Sequence, residues 1–181
     1  MNKLSRRSAA TAAAVLATAA GSLAWAATSA SAATAMHNGP FPTCSAHDLD
    51  VLVGSAHGNP HSHQVTYRID FTNNSRYACT LIGYPQDVIA TDRHGRRLGV
   101  PAQQIPGGPS HPVVLLQGQT AHSQLVNNPQ ALVEHACHPA LSAFLEAALP
   151  DSGQPVRTHF AQQVCSGHVA DLSIGQVQPG A

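Results

Sequence analysis

The residues best suited to chemistry in this chain are histidines, and three of them lie close together. His57, His61 and His63 fall within the stretch HGNPHSH. His61 and His63 are two apart, and alternate side chains of an extended strand share a face, so the pair could offer two imidazole ligands to a metal ion. A catalytic zinc site needs a third nitrogen or oxygen ligand and an open position; His57 or Asp70 would supply it only if the loop folded back. HACH at 135–138 places His135 and His138 three apart, a second pair if that stretch is helical. The plainer expectation is a solvated loop of titrating imidazoles, with weak binding of a divalent metal as the alternative. Other catalytic constellations are missing. The chain contains neither H-E-x-x-H nor G-x-S-x-G, and Ser110–His111 and Ser166–Gly167–His168 are adjacent without the strained turn that exposes a nucleophile. We therefore expect no catalytic residues, no enzyme activity and no resident cofactor.

The elements that must position these side chains begin after residue 35. Lys3, Arg6 and Arg7 form a basic start, AATAAAVLATAAGSLAWAA a weakly apolar run, and ASA (30–32) and ATA (33–35) small-residue cleavage sites. Together they read as a secretory signal peptide over residues 1–35, with SRRS at 5–8 hinting at twin-arginine export. The run is mostly alanine, whereas a membrane anchor needs about 20 strongly apolar residues, so no membrane span is expected after cleavage. Beyond residue 35 six arginines face nine acidic side chains, a formal charge of about −3 with neutral histidine. That balance argues against a nucleic-acid partner, which usually meets a basic face. All 12 histidines lie in this part. Their full protonation would carry the charge to about +9, and because an unperturbed imidazole titrates near 6.5, the histidine-rich end should turn positive in acid.

Four cysteines, all after the signal, suit an oxidising exterior. Four allow three pairings; chain order and the strand pattern favour Cys44–Cys79 and Cys137–Cys165. A four-cysteine zinc site would want C-x(2–4)-C spacings, and the gaps here are far longer.

Strands account for most of the remainder. DLDVLVG (48–54) alternates. QVTYRIDFTN (64–73) sets Val65, Tyr67, Ile69 and Phe71 on one side and Thr66, Arg68, Asp70 and Thr72 on the other, the mark of a half-buried antiparallel strand. NNS (73–75) is a turn and also a glycosylation sequon at Asn73. YACTLIGYP (77–85) is read as a strand with Tyr77, Cys79 and Leu81 on one side. QDVIATD, the turn DRHG (92–95) and RRLGV follow. PAQQIPGGPSHP (101–112) is an aperiodic Pro/Gly loop, then VVLLQ (113–117) and TAHSQLVN (120–127) are strands. Residues 129–149 are ambiguous; we expect a helical turn near 130–142 and a strand over 144–149, paired as a hairpin with PVRTHF (155–160) through the PDSG turn. HVADLSIGQVQ (168–178) closes the domain. Strands recurring about every 10 residues indicate an all-β antiparallel sandwich over residues 36–181.

The order of these pieces, a cysteine before the first strand, FTN at 71–73, CTLIGYP at 79–85, a D-x-x-G turn, LLQGQTAHSQL, a late cysteine, LPD and VCSG, resembles the secreted actinobacterial family known as domain of unknown function 4232. The likeness covers about residues 44–180. It implies an immunoglobulin-like β-sandwich, export, the same two cystine pairs, and no assigned chemistry. The chain departs from the family in the three histidines of the 57–63 loop, where small residues are usual, so any role of these side chains belongs to this protein.

Loops at the ends of a sandwich commonly carry binding. The 54–63 loop and the 101–112 loop, with Ile105, Gly107, Gly108 and His111, form the expected binding face. The expected function is that of a secreted, non-catalytic extracellular or cell-envelope module, binding or structural, whose partner is an extracellular protein or glycan. The alternatives are a histidine-mediated metal or pH-responsive binder and a secreted enzyme inhibitor.

Overall fold

The structure, a computed structural model, describes residues 40–58, 64–133 and 135–180. The signal expected over 1–35, and His61 and His63, lie outside these residues. No helix among them is long and apolar enough to cross a membrane.

The largest sheet runs β1 (Leu49–Val53), β3 (Val65–Asn73), β9 (Thr120–Asn127), β14 (Leu172–Ile174) and β7 (Gln103–Gln104), with β2 (His57–Gly58) added to β3 and β15 (Gln178–Pro179) to β9. A second sheet runs β12 (Pro155–His159), β11 (Phe144–Ala148), β5 (Gln86–Thr91) and β6 (Arg97–Leu98). Two strand pairs complete the fold, β4 (Cys79–Leu81) with β8 (Val113–Leu115) and β10 (Pro139–Leu141) with β13 (Gln163–Cys165). Every pairing between these strands is antiparallel except β14 with β7. The chain is thus an all-β, predominantly antiparallel sandwich with two disulfides, Cys44–Cys79 and Cys137–Cys165.

The period of two in β3 produces this arrangement. Tyr67, Ile69 and Phe71 are buried, while Arg68 is exposed and Thr66, Asp70 and Thr72 are half-covered. Ala121 and Leu125 of β9 and Leu172 and Ile174 of β14 extend the same inner face. Val88 and Ala90 of β5, Leu145 of β11, Cys79 and Leu81 of β4, Val113 and Leu115 of β8 and Val164 of β13 meet it in one continuous core. Phe160, just past β12, sets its ring edge-on to Tyr67, with centroids 5.2 Å apart. At roughly 25 cal/mol per Å² of apolar surface, each fully buried large side chain contributes about 1.5–3 kcal/mol. A smaller cluster of Ala131, Cys137 and Cys165 surrounds the second disulfide.

Several local expectations need correction. Tyr77 does not join Cys79 and Leu81 on an inner face; it is 68% exposed, because the chain enters β4 only at Cys79 after the turn that Asn73 organises. The aperiodic 101–112 loop contains β7, whose pairing with β14 is long-range and leaves no local pattern. The stretch expected to be a helical turn to 142 is a short 3-10 turn, Pro129–Val133, followed by β10. There the Cys137–Cys165 bond and the β10–β13 ladder override helical propensity. The final strand is interrupted between β14 and β15, where Val177 turns inward and donates its N–H to the Gly83 carbonyl (2.8 Å).

β5 holds consecutive buried residues, Val88 to Thr91, where a simple alternation would bury every second one. Both faces of the strand are covered over that stretch, and a bulge lies at its start. Glu146 pairs with Ile89 but Ala148 pairs with Gln86, so two residues of β5 oppose one of β11, and Asp87 adopts φ 48° there.

The turn between β5 and β6 is built on Asp92. Its Oδ1 accepts the N–H groups of His94 (2.8 Å) and Arg96 (2.9 Å), and its Oδ2 accepts Arg96 Nε (2.7 Å). The Arg96 N–H does most to favour the carboxylate, which is held down to about 2 against partial burial that pulls the other way. Because the folded value lies below the ordinary one, the stabilisation is complete above about pH 4 and is lost as pH falls through about 2. Asp171 has the opposite sign. Burial raises it, although Cys165 N–H donates to its Oδ2 at 2.8 Å, so its contribution is present in acid and declines as pH rises through the folded value. Asp92→Asn should remove the loss of stability between about pH 4 and 2 that belongs to this turn, as read from thermal midpoints against pH; an unchanged acid limb would show that the turn melts without consequence.

Candidate functional site

The outer face of the large sheet carries the side chains that β3 and β9 turn away from the core. Register sets Asp70 opposite His122 and Arg68 opposite Gln124. Within β3, Arg68 reaches Asp70 two residues on, with Nε 2.7 Å from Oδ1 and Nη2 3.2 Å from Oδ2. The pair is only partly covered, at 56% and 19% side-chain exposure, so it adds little to stability.

Around this floor lies an open groove of about 560 Å³. Gly54, Ser55 and His57 form one wall and Gln176 and Gln178 the other. Three amides, two imidazoles and one guanidinium therefore converge on one surface. The Nδ1 atom of His122 is enclosed and has no hydrogen-bond partner among the described residues. A buried polar atom without a partner costs free energy, and because Nδ1 has almost no exposed surface, it meets a ligand in the groove only if the ring turns. At two places the backbone comes close. Gly54 donates its N–H to the Arg68 carbonyl (2.7 Å), and Gly175 donates to the Gln124 carbonyl (2.8 Å).

The expected site residues fall around this groove unevenly. His57 lies on its wall, in β2 opposite Thr66. His61 and His63 are outside the described residues. Ile105 is pinned by its own N–H to the Ile174 carbonyl (2.8 Å) and by the Tyr84 hydroxyl, which donates to its C=O (2.8 Å). Gly108 accepts Gln176 Nε2 at 2.7 Å, and Gly107 lies beside the same amide. The loop thus does not line the groove; it buttresses Gln176, which does. His111 is exposed and is not part of the wall. His135 and His138 are exposed and not on a helix. Among the described residues no group of three His, Cys, Asp or Glu side chains is placed to hold a metal ion. The four cysteines are all bonded and have no free thiol.

His122, Gln124 and Gln176 were not singled out by motif, yet a signal for the first two existed. TAHSQLVN alternates, which turns His122 and Gln124 to the face opposite Ala121 and Leu125, the same outer face to which the β3 pattern assigns Arg68 and Asp70. Gln176 gave no such signal, because it sits in the break between β14 and β15.

The family model described as Domain of unknown function (DUF4232) matches residues 44–178. No curated protein and no solved structure matches the chain.

Proposed function

The chain belongs to this family of unknown function, and from that premise we propose that it is an exported, non-catalytic module that binds a polar extracellular partner, a glycan, in the groove on its large sheet. The single observation that carries the reading is the convergence of Arg68, His122, Gln124, Gln176, Gln178 and His57 on one open surface. Amides, imidazoles and a paired guanidinium are suited to a ligand rich in hydroxyl and acetamido groups, which both donates and accepts. Two disulfides and a chain whose start reads as a signal support action outside the cell, where such bonds persist. The family and the groove name no reaction, and the reading assigns none.

Screening the protein against immobilised glycans should yield a ligand whose affinity falls about tenfold for His122→Ala and for Gln124→Ala, the loss of about one hydrogen bond to a buried partner. His111→Ala, away from the wall, should bind as the parent does. Unchanged binding in both groove variants, or turnover of a substrate lost on one His or Ser substitution, would sink the proposal.

A second reading rests on two imidazoles, His57 and His122, lining the same groove. A histidine-mediated binder of a divalent cation would show saturable zinc uptake in a chelator-treated sample, abolished by His122→Ala. Uptake that survives this change but vanishes with His61→Ala/His63→Ala would assign any metal to the 57–63 loop instead.

A further inference from the structure

Gln176, on the groove wall, sits in an irregular break of the sheet and is nevertheless held on every side. Its chain neighbours are tied down: Gly175 donates to the Gln124 carbonyl and Val177 to the Gly83 carbonyl, both at 2.8 Å. Its side-chain nitrogen is tied as well. Nε2 lies 2.7 Å from the Gly108 carbonyl oxygen and 3.2 Å from the Tyr84 hydroxyl. A carbonyl oxygen only accepts, so the atom facing Gly108 is the nitrogen, and the direction of the amide is settled. The Tyr84 hydroxyl gives its own proton to the Ile105 carbonyl (2.8 Å) and is left to accept from Gln176.

Both N–H groups of the amide are therefore occupied on the loop side, by residues that do not line the groove. What remains for the groove is Oε1, which has no hydrogen-bond partner among the described residues. Gly107 makes the arrangement possible. A Cβ at that position would lie 3.0 Å from Gln176 Nε2 and 3.2 Å from the Tyr84 hydroxyl. An alanine there would push the amide aside by a few tenths of an ångström, and because the atoms it meets are side-chain ends, the backbone can stay in place.

We propose that Gln176 meets the ligand as a fixed acceptor, set by Tyr84 and Gly107 as positioning residues, and that this wall thereby selects a hydroxyl or acetamido N–H over a carboxylate or sulfate oxygen. The inference rests on the glycan reading of the groove and names the chemistry of the group that lies at this wall. A hydroxyl or N–H donates to Oε1, whereas an anionic oxygen, which only accepts, meets it with like partial charge. The Arg68 guanidinium already faces the Asp70 carboxylate, so it gives an anionic sugar little to offset that repulsion. An acceptor held in place beforehand also loses little entropy on binding.

The test uses the full chain at pH 8, where an ordinary imidazole is neutral, with chitotriose and O-sulfated chitotriose as probes. The parent should bind chitotriose about tenfold or more tightly than the sulfated sugar, and Gln176→Ala should lower chitotriose affinity about tenfold. Gly107→Ala and Tyr84→Phe should each weaken chitotriose severalfold and narrow the preference, because a displaced amide can turn an N–H toward sulfate. A merely structural role would lower both affinities together and leave their ratio as it was. In NMR spectra the Gln176 side-chain N–H signals should exchange slowly with water in the parent and faster in both variants. Tyr77→Phe, at an exposed ring, should behave as the parent does. No chitotriose binding, a parental preference for the sulfated sugar, or an unchanged ratio in Gly107→Ala and Tyr84→Phe would overturn the proposal. Chitotriose that binds with an unchanged ratio leaves the groove reading standing, whereas binding untouched by His122→Ala and Gln124→Ala sinks that reading itself.

Discussion

Replacing Cys44 and Cys79 together by alanine should lower the unfolding free energy by about 3–4 kcal/mol, the chain-entropy value for a loop of this size. The bond spans a sequence separation of 35. Without it the denatured chain gains freedom that the native chain does not share. The native side loses as well, because Cys44 and Cys79 are 0% and 3% exposed and belong to the main core. They hold the segment before β1 beside β4, where Cys44 donates to the Thr80 carbonyl (3.0 Å) and Thr80 to the Pro42 carbonyl (2.8 Å). Guanidinium unfolding should show a lower midpoint together with a steeper slope, since an unlinked denatured state exposes more surface. The Cys137–Cys165 bond closes a separation of 28 and lies in the small cluster with Ala131. Its removal carries a similar entropic loss and spares the main core, so the first pair should be the costlier. A second pair that costs more would place the principal stabilising link at the wrong end of the sandwich.

The same contrast explains what the sequence could and could not reveal. The β3 alternation is set by local geometry, with each side chain facing core or solvent by its own parity, so its inner face was legible from Val65 to Phe71. Cystine pairing followed chain order because each bond ties together segments that lie in one neighbourhood of the sandwich. Features decided by distant partners were not legible. β7 exists because Gln103 and Gln104 meet Ser173 and Ile174, and nothing within residues 101–112 records that meeting. Pro139 to Leu141 is a strand because Gln163 to Cys165 offers it an edge. The groove was half legible. Parity gave the outward direction of Arg68, Asp70, His122 and Gln124, but only the register between β3 and β9 brings them together, and Gln176 enters through an irregular break. Attention to histidine density favoured the 57–63 loop, whereas the structure adds the isolated His122, whose position is defined by its neighbours.

Asn73 shows how a residue that reads as a turn former can act as a joint of the fold, and its loss should be the other large effect. The side chain is fully enclosed. Its Nδ2 donates to the carbonyls of Tyr77 (2.8 Å) and Leu115 (2.9 Å), and its Oδ1 accepts the Ser75 N–H (2.9 Å). Its backbone donates to the Gln119 carbonyl (2.9 Å) and accepts the Gly118 N–H (2.7 Å). One amide thereby ties the end of β3 to the turn before β4 and to β8. The sequon reading at this position is answered by the same geometry, because the nitrogen that would carry a sugar is buried and in use. Asn73→Ala deletes three side-chain hydrogen bonds in an enclosed site, at about 1 kcal/mol each, for a loss of about 3 kcal/mol. This loss should not depend on pH, since no charge is involved. Asn73→Asp keeps the Oδ1 acceptor but aims a second oxygen at two carbonyls. Burial and those dipoles favour the protonated acid, which can donate once, so its folded value should be raised. A raised value means that stability is retained in acid and lost as pH rises through it. Denaturation of the two variants at pH 3 and pH 7 therefore separates packing from hydrogen bonding. The aspartate variant should approach the parent at the lower pH and fall to or below the alanine variant at the higher. If it matches the parent at both, the Nδ2 bonds contribute nothing, and shape alone accounts for asparagine at the junction of β3 with the β4–β8 pair.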